Sequence, residues 1–206
     1  MTSEEFFRRS QNVLGFLLES FYTYKGVNQM RGKSHIRLGN YLAQRYLQDI
    51  PEKNIQAFLF GCIEPDRNPL SYLKGSMRCQ WLRGHNYRNA CRFMRRISRR
   101  LEQRNTWNLF DYYTLGKLIH YTADAFTYAH NDSFPTNLTK HREYEIRLQE
   151  YFLNYLQSNP RVDVPIAKTV MEAIGNCHRE YYSVTSDIHR DSRFALQACC
   201  CVLTIL

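Results

Sequence analysis

Residues 113–130 have the sequence YTLGKLIHYTADAFTYAH, a largely apolar and aromatic run that also contains Lys117, His120, Asp124 and His130. Apolar residues recur here at the three- and four-residue spacing of a buried helix, and no proline breaks the run. The pattern predicts a helix over 107–129. The same periodicity extends through most of the chain, whereas the alternation typical of strands is hard to find. The sequence therefore predicts an all-α protein.

Periodicity and breakers together outline about seven helices. Predicted helices cover 4–24, 35–47 with Ser34 as N-cap, 52–61, 85–104, 107–129 and 140–156, followed by one or two between residue 165 and the C-terminus. Residues 62–84 contain Pro65, Pro69 and Gly75, which predicts a long irregular connection. No repeat, linker or shift in composition divides the 206 residues, so we expect one helical bundle as a single domain over 1–206.

The composition restricts the class of protein and its partners. Hydrophobic residues make up 44% of the chain, which excludes wholesale disorder, and no apolar run is long enough to span a bilayer. The formal net charge of +9 favours anionic partners such as phospholipid headgroups or nucleic acid. The N-terminus lacks a convincing secretory signal, and three of the seven cysteines are consecutive at 199–201, so we expect reduced thiols and a cytoplasmic location.

Two histidines are each followed four residues later by a carboxylate. His120 with Asp124 and His141 with Glu145 can each present both side chains on one helix face, where they could share a divalent ion. Chance alone produces such pairs, but the apolar neighbours of Asp124 predict burial, and a buried carboxylate is costly unless it is paired or metal-bound. His130, at the end of the same predicted helix, lies about 80° from the His120 face and could serve an adjacent ion.

The order of these residues resembles the metal signature of the zinc-dependent phospholipase C family. The pattern H-x3-D-x5-H is filled at 120, 124 and 130, and H-x3-E follows at 141 and 145. Upstream, the family's G-x-x-x-P-D segment resembles residues 61–66, and its two earlier histidines resemble His85 and His35. The resemblance therefore extends from about residue 34 to 145. It implies eight metal ligands: His35, Asp66, His85, His120, Asp124, His130, His141 and Glu145.

The resemblance also implies two to three Zn²⁺ ions and a division of ligands among them. The first ion would be held by Asp66, His85, His120 and Asp124, the second by His130, His141 and Glu145, and the third by His35 with Asp124 bridging. Family members complete the third site with an N-terminal tryptophan, but the two tryptophans here are Trp81 and Trp107, both after His35. The third ion must therefore use another ligand or bind weakly. Asp66 is expected to be a metal ligand and the catalytic general base.

The resemblance implies a soluble zinc-dependent phosphodiester hydrolase that cleaves phospholipids to diacylglycerol and a phosphorylated headgroup. The arginines of the predicted helix 85–104 could dock it on an anionic membrane surface, or could simply form a solvated face. Two alternatives remain open at this point. One is a single-strand nuclease of the related P1/S1 type, since nucleic acid would also be attracted. The other is a non-catalytic module that binds metal or lipid.

Overall fold

The computed structural model describes residues 31–81, 83–131, 134, 138–183 and 187–206. These residues form seven α-helices and no β-strand, which confirms the predicted all-α fold. The helices are α1 (Arg31–Tyr46), α2 (Glu52–Arg67), α3 (Tyr87–Glu102), α4 (Leu109–Asp124), α5 (Leu138–Gln157), α6 (Val170–Tyr182) and α7 (Ile188–Ile205). Two 3-10 turns, Pro69–Ser71 and Tyr128–His130, follow α2 and α4. The helix predicted over 4–24 lies outside the described residues.

Helix α4 occupies the middle of the bundle and contacts α1, α2, α3 and α7. Nearly every residue from Asp111 to Asp124 is buried, so this helix has no solvated face, as its apolar sequence predicted. Cys199, Cys200 and Cys201 are fully buried in α7, where they pack as small apolar side chains. No helix within the described ranges combines the length and the apolarity that crossing a bilayer requires.

Two glycines allow α2 and α4 to approach each other closely. A Cβ atom at Gly116 would lie 2.1 Å from the carbonyl oxygen of Phe58, and one at Gly61 would lie 2.1 Å from that of Tyr113. Neither position has room for a side chain, because the obstruction is backbone rather than a movable group. This contact lets the backbone of α2 reach His120 on α4.

The predicted end of α2 at Gly61 is wrong, because the helix continues through Pro65 to Arg67. Proline costs a helix one hydrogen bond, which is why the sequence indicated a break. Here Pro65 is buried together with Cys62 and Ile63, and this tertiary packing outweighs the local cost. Asp66 therefore lies in the last turn of a helix instead of on an irregular connection.

The predicted bounds of two other helices are also wrong. Helix α4 begins after Asn108, whose side chain caps it, and ends at Asp124, so His130 lies in a separate 3-10 turn. The cause is tertiary: the backbone N–H of Tyr128 donates to the buried carboxylate of Asp191, 2.7 Å away, which fixes the chain in a turn. Helix α1 begins at Arg31, so Ser34 lies inside it and is not its N-cap.

The close contact between α2 and α4 predicts the effect of adding one methyl group. We expect Gly116→Ala to lower the free energy of unfolding by about 3 kcal/mol, because the backbone of α2 must move. Gly175→Ala is the matched control: no atom lies within 4 Å of its Cβ position in α6, and alanine should raise stability by about 0.5–1 kcal/mol. Urea denaturation of both variants measures the difference, and equal stabilities would contradict this account of the interface.

Candidate metal centre

The eight predicted ligands come from six different segments, and the structure brings all of them into one cluster. They are His35 on α1, Asp66 on α2, His85 just before α3, His120 and Asp124 on α4, His130 in the second 3-10 turn, and His141 and Glu145 on α5. Three groups have ligand atoms close enough for one ion, and the first two share His120: His35, Asp66 and His120; His85, His120 and Asp124; and His130, His141 and Glu145.

The tightest group joins His85, His120 and Asp124. Oδ2 of Asp124 lies 2.8 Å from Nδ1 of His85 and 3.1 Å from Nε2 of His120, and these two nitrogens are 3.1 Å apart. Nδ1 of His120 lies 2.9 Å from the carbonyl oxygen of Cys62, which can only accept a hydrogen bond. The neutral form of His120 therefore carries its proton on Nδ1 and directs the lone pair of Nε2 toward the cluster.

The same reasoning fixes the tautomer of His85. Its Nε2 lies 2.9 Å from Oγ of Ser71, and that hydroxyl donates its own proton to the carbonyl oxygen of Pro65, 2.5 Å away. Ser71 must then accept from the Nε2–H of His85, which leaves the lone pair on Nδ1. The ring of Tyr72 stacks on His85 with centroids 4.6 Å apart and holds its orientation.

Lone pairs that face one another and a carboxylate in a buried site call for a cation. His85 and His120 are 3% and 0% exposed, so water cannot screen the repulsion between these atoms. Oδ2 of Asp66 is also buried and has no hydrogen-bond partner among the described residues, while its Oδ1 lies 3.8 Å from Nε2 of His120. Imidazole nitrogens with carboxylate oxygens form a ligand set that suits Zn²⁺.

Asp124 faces both sides of the cluster. Its Oδ1 lies 3.1 Å from Nε2 of His35 and 3.8 Å from Nδ1 of His130, opposite the pair that meets Oδ2. Burial would raise the pKa of Asp124, but His130, His120 and His35 outweigh it and hold the pKa well below its ordinary value. Burial lowers the pKa of His35, yet the charge of Asp124 more than compensates and raises it. Asp124 is thus an ionised, bridging carboxylate.

The group formed by His130, His141 and Glu145 repeats this design at a shallower position. Nε2 of His141 and Nε2 of His130 lie 3.0 Å and 4.0 Å from Oε1 of Glu145. Thr127 donates its hydroxyl proton to the carbonyl oxygen of Asp124 and so accepts from Nδ1–H of His130, which directs the lone pair of Nε2 inward. Burial lowers the pKa of His130 and favours the neutral ring that a metal requires.

The residues that orient these ligands had no signal in the sequence. The backbone carbonyl of Cys62 belongs to no motif, because any residue can supply a carbonyl. The hydroxyls of Ser71 and Thr127 belong to none either, because many residues can supply a hydroxyl. Asp191 gave no signal either, because it stands among polar and charged residues in the first turn of α7, where an acidic residue is ordinary. Its carboxylate, which is 0% exposed, accepts from the hydroxyls of Tyr144 (2.8 Å) and Tyr181 (2.7 Å) as well as from Tyr128 N–H. It thus joins α7 to both segments of the second group.

Two other titratable residues near the helices of the cluster have partners of their own. Glu64 forms an ion pair with Lys117 at 2.7 Å, and although burial would raise its pKa, hydrogen bonds from Lys117 and Asn68 lower it. His178 stacks on Tyr87 with centroids 3.8 Å apart, and burial lowers its pKa to about 4. Neither residue belongs to the three groups above.

Comparison with known proteins gives one match. A sequence model described as zinc dependent phospholipase C matches residues 34–191, a range that includes all eight candidate ligands and Asp191. No curated protein and no solved structure matches the chain.

The hydrogen bond between Ser71 and His85 predicts a tautomer effect on zinc binding. Ser71→Ala removes the acceptor for Nε2–H, so the ring can place its proton on Nδ1, and we expect zinc affinity to fall about 10- to 100-fold. Ser98→Ala is the matched control, because Ser98 is an equally buried serine whose hydroxyl meets a carbonyl oxygen within α3. Competition with a chromophoric chelator measures both affinities, and unchanged affinity in Ser71→Ala would contradict the tautomer assignment.

The hydrogen bonds of Asp191 predict that a substitution there removes zinc only from the group formed by His130, His141 and Glu145. Asp191→Asn presents an amide N–H to donors, which should shift the 128–130 turn and α5 and lower zinc content by about one ion per chain. Asp187→Asn, four residues earlier, keeps an N-cap acceptor for α7 and should retain full zinc content. Elemental analysis after dialysis separates the two variants. Equal zinc content in both would show that Asp191 does not support the site.

Proposed function

The chain belongs to the zinc-dependent phospholipase C family, and from this premise we propose that it hydrolyses phospholipids to diacylglycerol and a phosphorylated headgroup. The observation that carries the proposal is the buried convergence of unprotonated imidazole nitrogens and carboxylate oxygens around Asp124. A single structural salt bridge would not need two histidines that both direct lone pairs at one carboxylate oxygen.

We propose for the zinc ions the division of ligands that the family resemblance implies. The first ion would be bound by Asp66, His85, His120 and Asp124, the second by His130, His141 and Glu145, and the third by His35 with Asp124 bridging. The Oδ2 atom of Asp66 lies 3.9 Å from Nε2 of His35 but is reserved for the proton transfer proposed below, so the third ion would be bound more weakly than the other two. When bound, Zn²⁺ supplies two effects: it lowers the pKa of coordinated water to about 7 and it neutralises charge on the phosphate.

The chain's own residues would then accept the proton that the attacking water releases. In hydrolysis, water oxygen bonds to phosphorus, the bond from phosphorus to the glycerol oxygen breaks, and the glycerol oxygen gains a proton. Asp66 is proposed as the general base, because its Oδ2 has no hydrogen-bond partner within the described part of the chain. Cys62, Ser71 and Thr127 keep the ring protons of their histidines away from the reacting phosphate.

A nuclease of the P1/S1 type is the second candidate, and one observation favours it. Residues 67–101 contain ten Lys and Arg and no Asp or Glu, a charge pattern that would also attract single-stranded nucleic acid. A bound substrate of this kind would be expected to stack its bases on aromatic side chains. A non-catalytic metal or lipid module remains the third candidate, and it differs from both by the absence of turnover.

Zinc content and hydrolysis measured together test the proposal. We expect two to three zinc ions per chain, hydrolysis of a soluble short-chain phosphatidylcholine, and little hydrolysis of single-stranded DNA. His120→Ala should lose zinc and at least about a hundredfold in rate, because it removes a ligand shared by two groups. His189→Ala is the matched control, since His189 packs on Tyr151 outside the cluster. Preferential hydrolysis of DNA would overturn the lipid substrate, and zinc without turnover on either substrate would favour the binding module.

A further inference from the structure

Exposed apolar side chains are concentrated beside the metal cluster. Eight large apolar or aromatic side chains are exposed among the described residues, and four of them lie within 70–81. They are Leu70 (71% exposed), Leu73 (42%), Met77 (96%) and Trp81 (66%). Exposed apolar groups scattered singly are ordinary, but a concentration of them in one short segment indicates a surface that binds something.

The segment that carries them is a closed and well-fixed loop. The N–H of Gly84 donates to the carbonyl oxygen of Tyr72 at 3.0 Å, which joins the two ends of loop 72–84. Buried Asn89 on α3 donates to the carbonyl oxygens of Lys74 and Gln80 and accepts from the N–H of Gln80. The described residues of loop 72–84 are therefore held at both ends and at Lys74 and Gln80, while Met77 and Trp81 remain exposed.

The charged residues of the loop and of the segments on either side of it in the sequence have a single sign. Ten cationic and no acidic residues occur from Arg67 to Leu101. Arg78 lies on the loop and is exposed, and Arg88 is exposed in the first turn of α3. Basic residues beside exposed tryptophan and aliphatic groups are the combination that binds the interfacial region of an anionic bilayer, where apolar groups enter the lipid and cations meet the headgroups.

The loop also touches the metal cluster. Ser71 and Tyr72, at its beginning, bind and stack on His85, and His85 follows directly after its last residue. A lipid surface in contact with Met77 and Trp81 would therefore lie next to the candidate ligands. The sequence left the arginines of the predicted helix 85–104 as either a membrane dock or a solvated face. Two of them, Arg100 near the end of α3 and Arg104 just after it, are paired with buried Asp111.

We propose that loop 72–84, together with Leu70, is an interfacial docking surface that binds a bilayer containing anionic phospholipid and brings headgroups to the metal cluster. This inference rests on the proposed phospholipase function and identifies the physical form of its substrate, an assembled lipid surface. Nucleic acid is the less suitable occupant, because its phosphates would use the arginines but would leave Met77 and Leu70 exposed.

Vesicle sedimentation tests the docking surface with the full chain. We expect binding to vesicles of phosphatidylcholine with phosphatidylserine, and about tenfold weaker binding for the double variant Met77→Ser, Trp81→Ser. Ile166→Ser is the matched control, because Ile166 is 100% exposed and lies near the other end of α3, where Val170 N–H donates to Glu102. It should bind vesicles like the parent. Arg78→Gln should lose about fivefold on anionic vesicles and nothing on phosphatidylcholine alone.

A spectroscopic readout identifies the group that enters the lipid. Trp81 and Trp107 are the two tryptophans, so the Trp107→Phe variant reports on Trp81 alone. We expect its emission to shift to the blue when anionic vesicles are added, because the exposed indole leaves water. An unshifted emission with bound vesicles would overturn the docking role of Trp81.

Two further outcomes would overturn the proposal, and neither depends on catalysis. The first is unchanged vesicle binding by the double variant. The second is binding of single-stranded DNA that needs the arginines but not the apolar residues, with no affinity for vesicles. Sedimentation requires no turnover, and hydrolysis of a soluble short-chain phospholipid requires no bilayer. Docking without hydrolysis would therefore overturn the proposed function alone, and hydrolysis without docking would overturn this inference alone.

Discussion

The buried carboxylate of Asp124 is the group around which the rest of the site is arranged. It is 2% exposed and is the last residue of the apolar helix α4, in a buried position where an uncompensated charge would be prohibitive. Four histidines surround its two oxygens, and two of them, His85 and His120, direct lone pairs rather than protons at the same oxygen. Neutral imidazoles compensate a carboxylate poorly by themselves. The arrangement is stable when its histidines and carboxylates bind cations. This explains why carboxylates are buried in the most apolar part of the bundle.

The ligands meet because the helices that carry them can approach without side chains between them. Gly61 and Gly116 bring the backbones of α2 and α4 together, so that the carbonyl oxygen of Cys62 reaches His120. The same contact holds Asp66 beside His120. Packing of the bundle and orientation of the metal ligands are therefore consequences of one interface. A change that separates these helices would disturb both stability and metal binding.

One segment links the metal cluster to the proposed lipid surface. Ser71 and Tyr72 orient His85, and the loop that follows exposes Met77 and Trp81. Exposed apolar side chains lower the stability of a protein in water. Because this loop is fixed, Met77 and Trp81 stay exposed instead of folding inward. A bilayer that covers these side chains would recover that free energy next to the site where its headgroups react. In this proposal the loop serves both the chemistry and access to an insoluble substrate.

The sequence by itself determined the helical class and the candidate ligands, because helical periodicity and ligand spacing are local properties. It failed wherever a distant residue decides the local structure. Pro65 remains helical because α2 packs on α4, and His130 leaves the helix because Asp191, far along the chain, binds the N–H of Tyr128. The protonation of each ring was likewise decided only in the folded protein. Cys62, Ser71 and Thr127 select the nitrogen that faces the cluster, and hydrogen bonds between segments leave no pattern in a linear sequence.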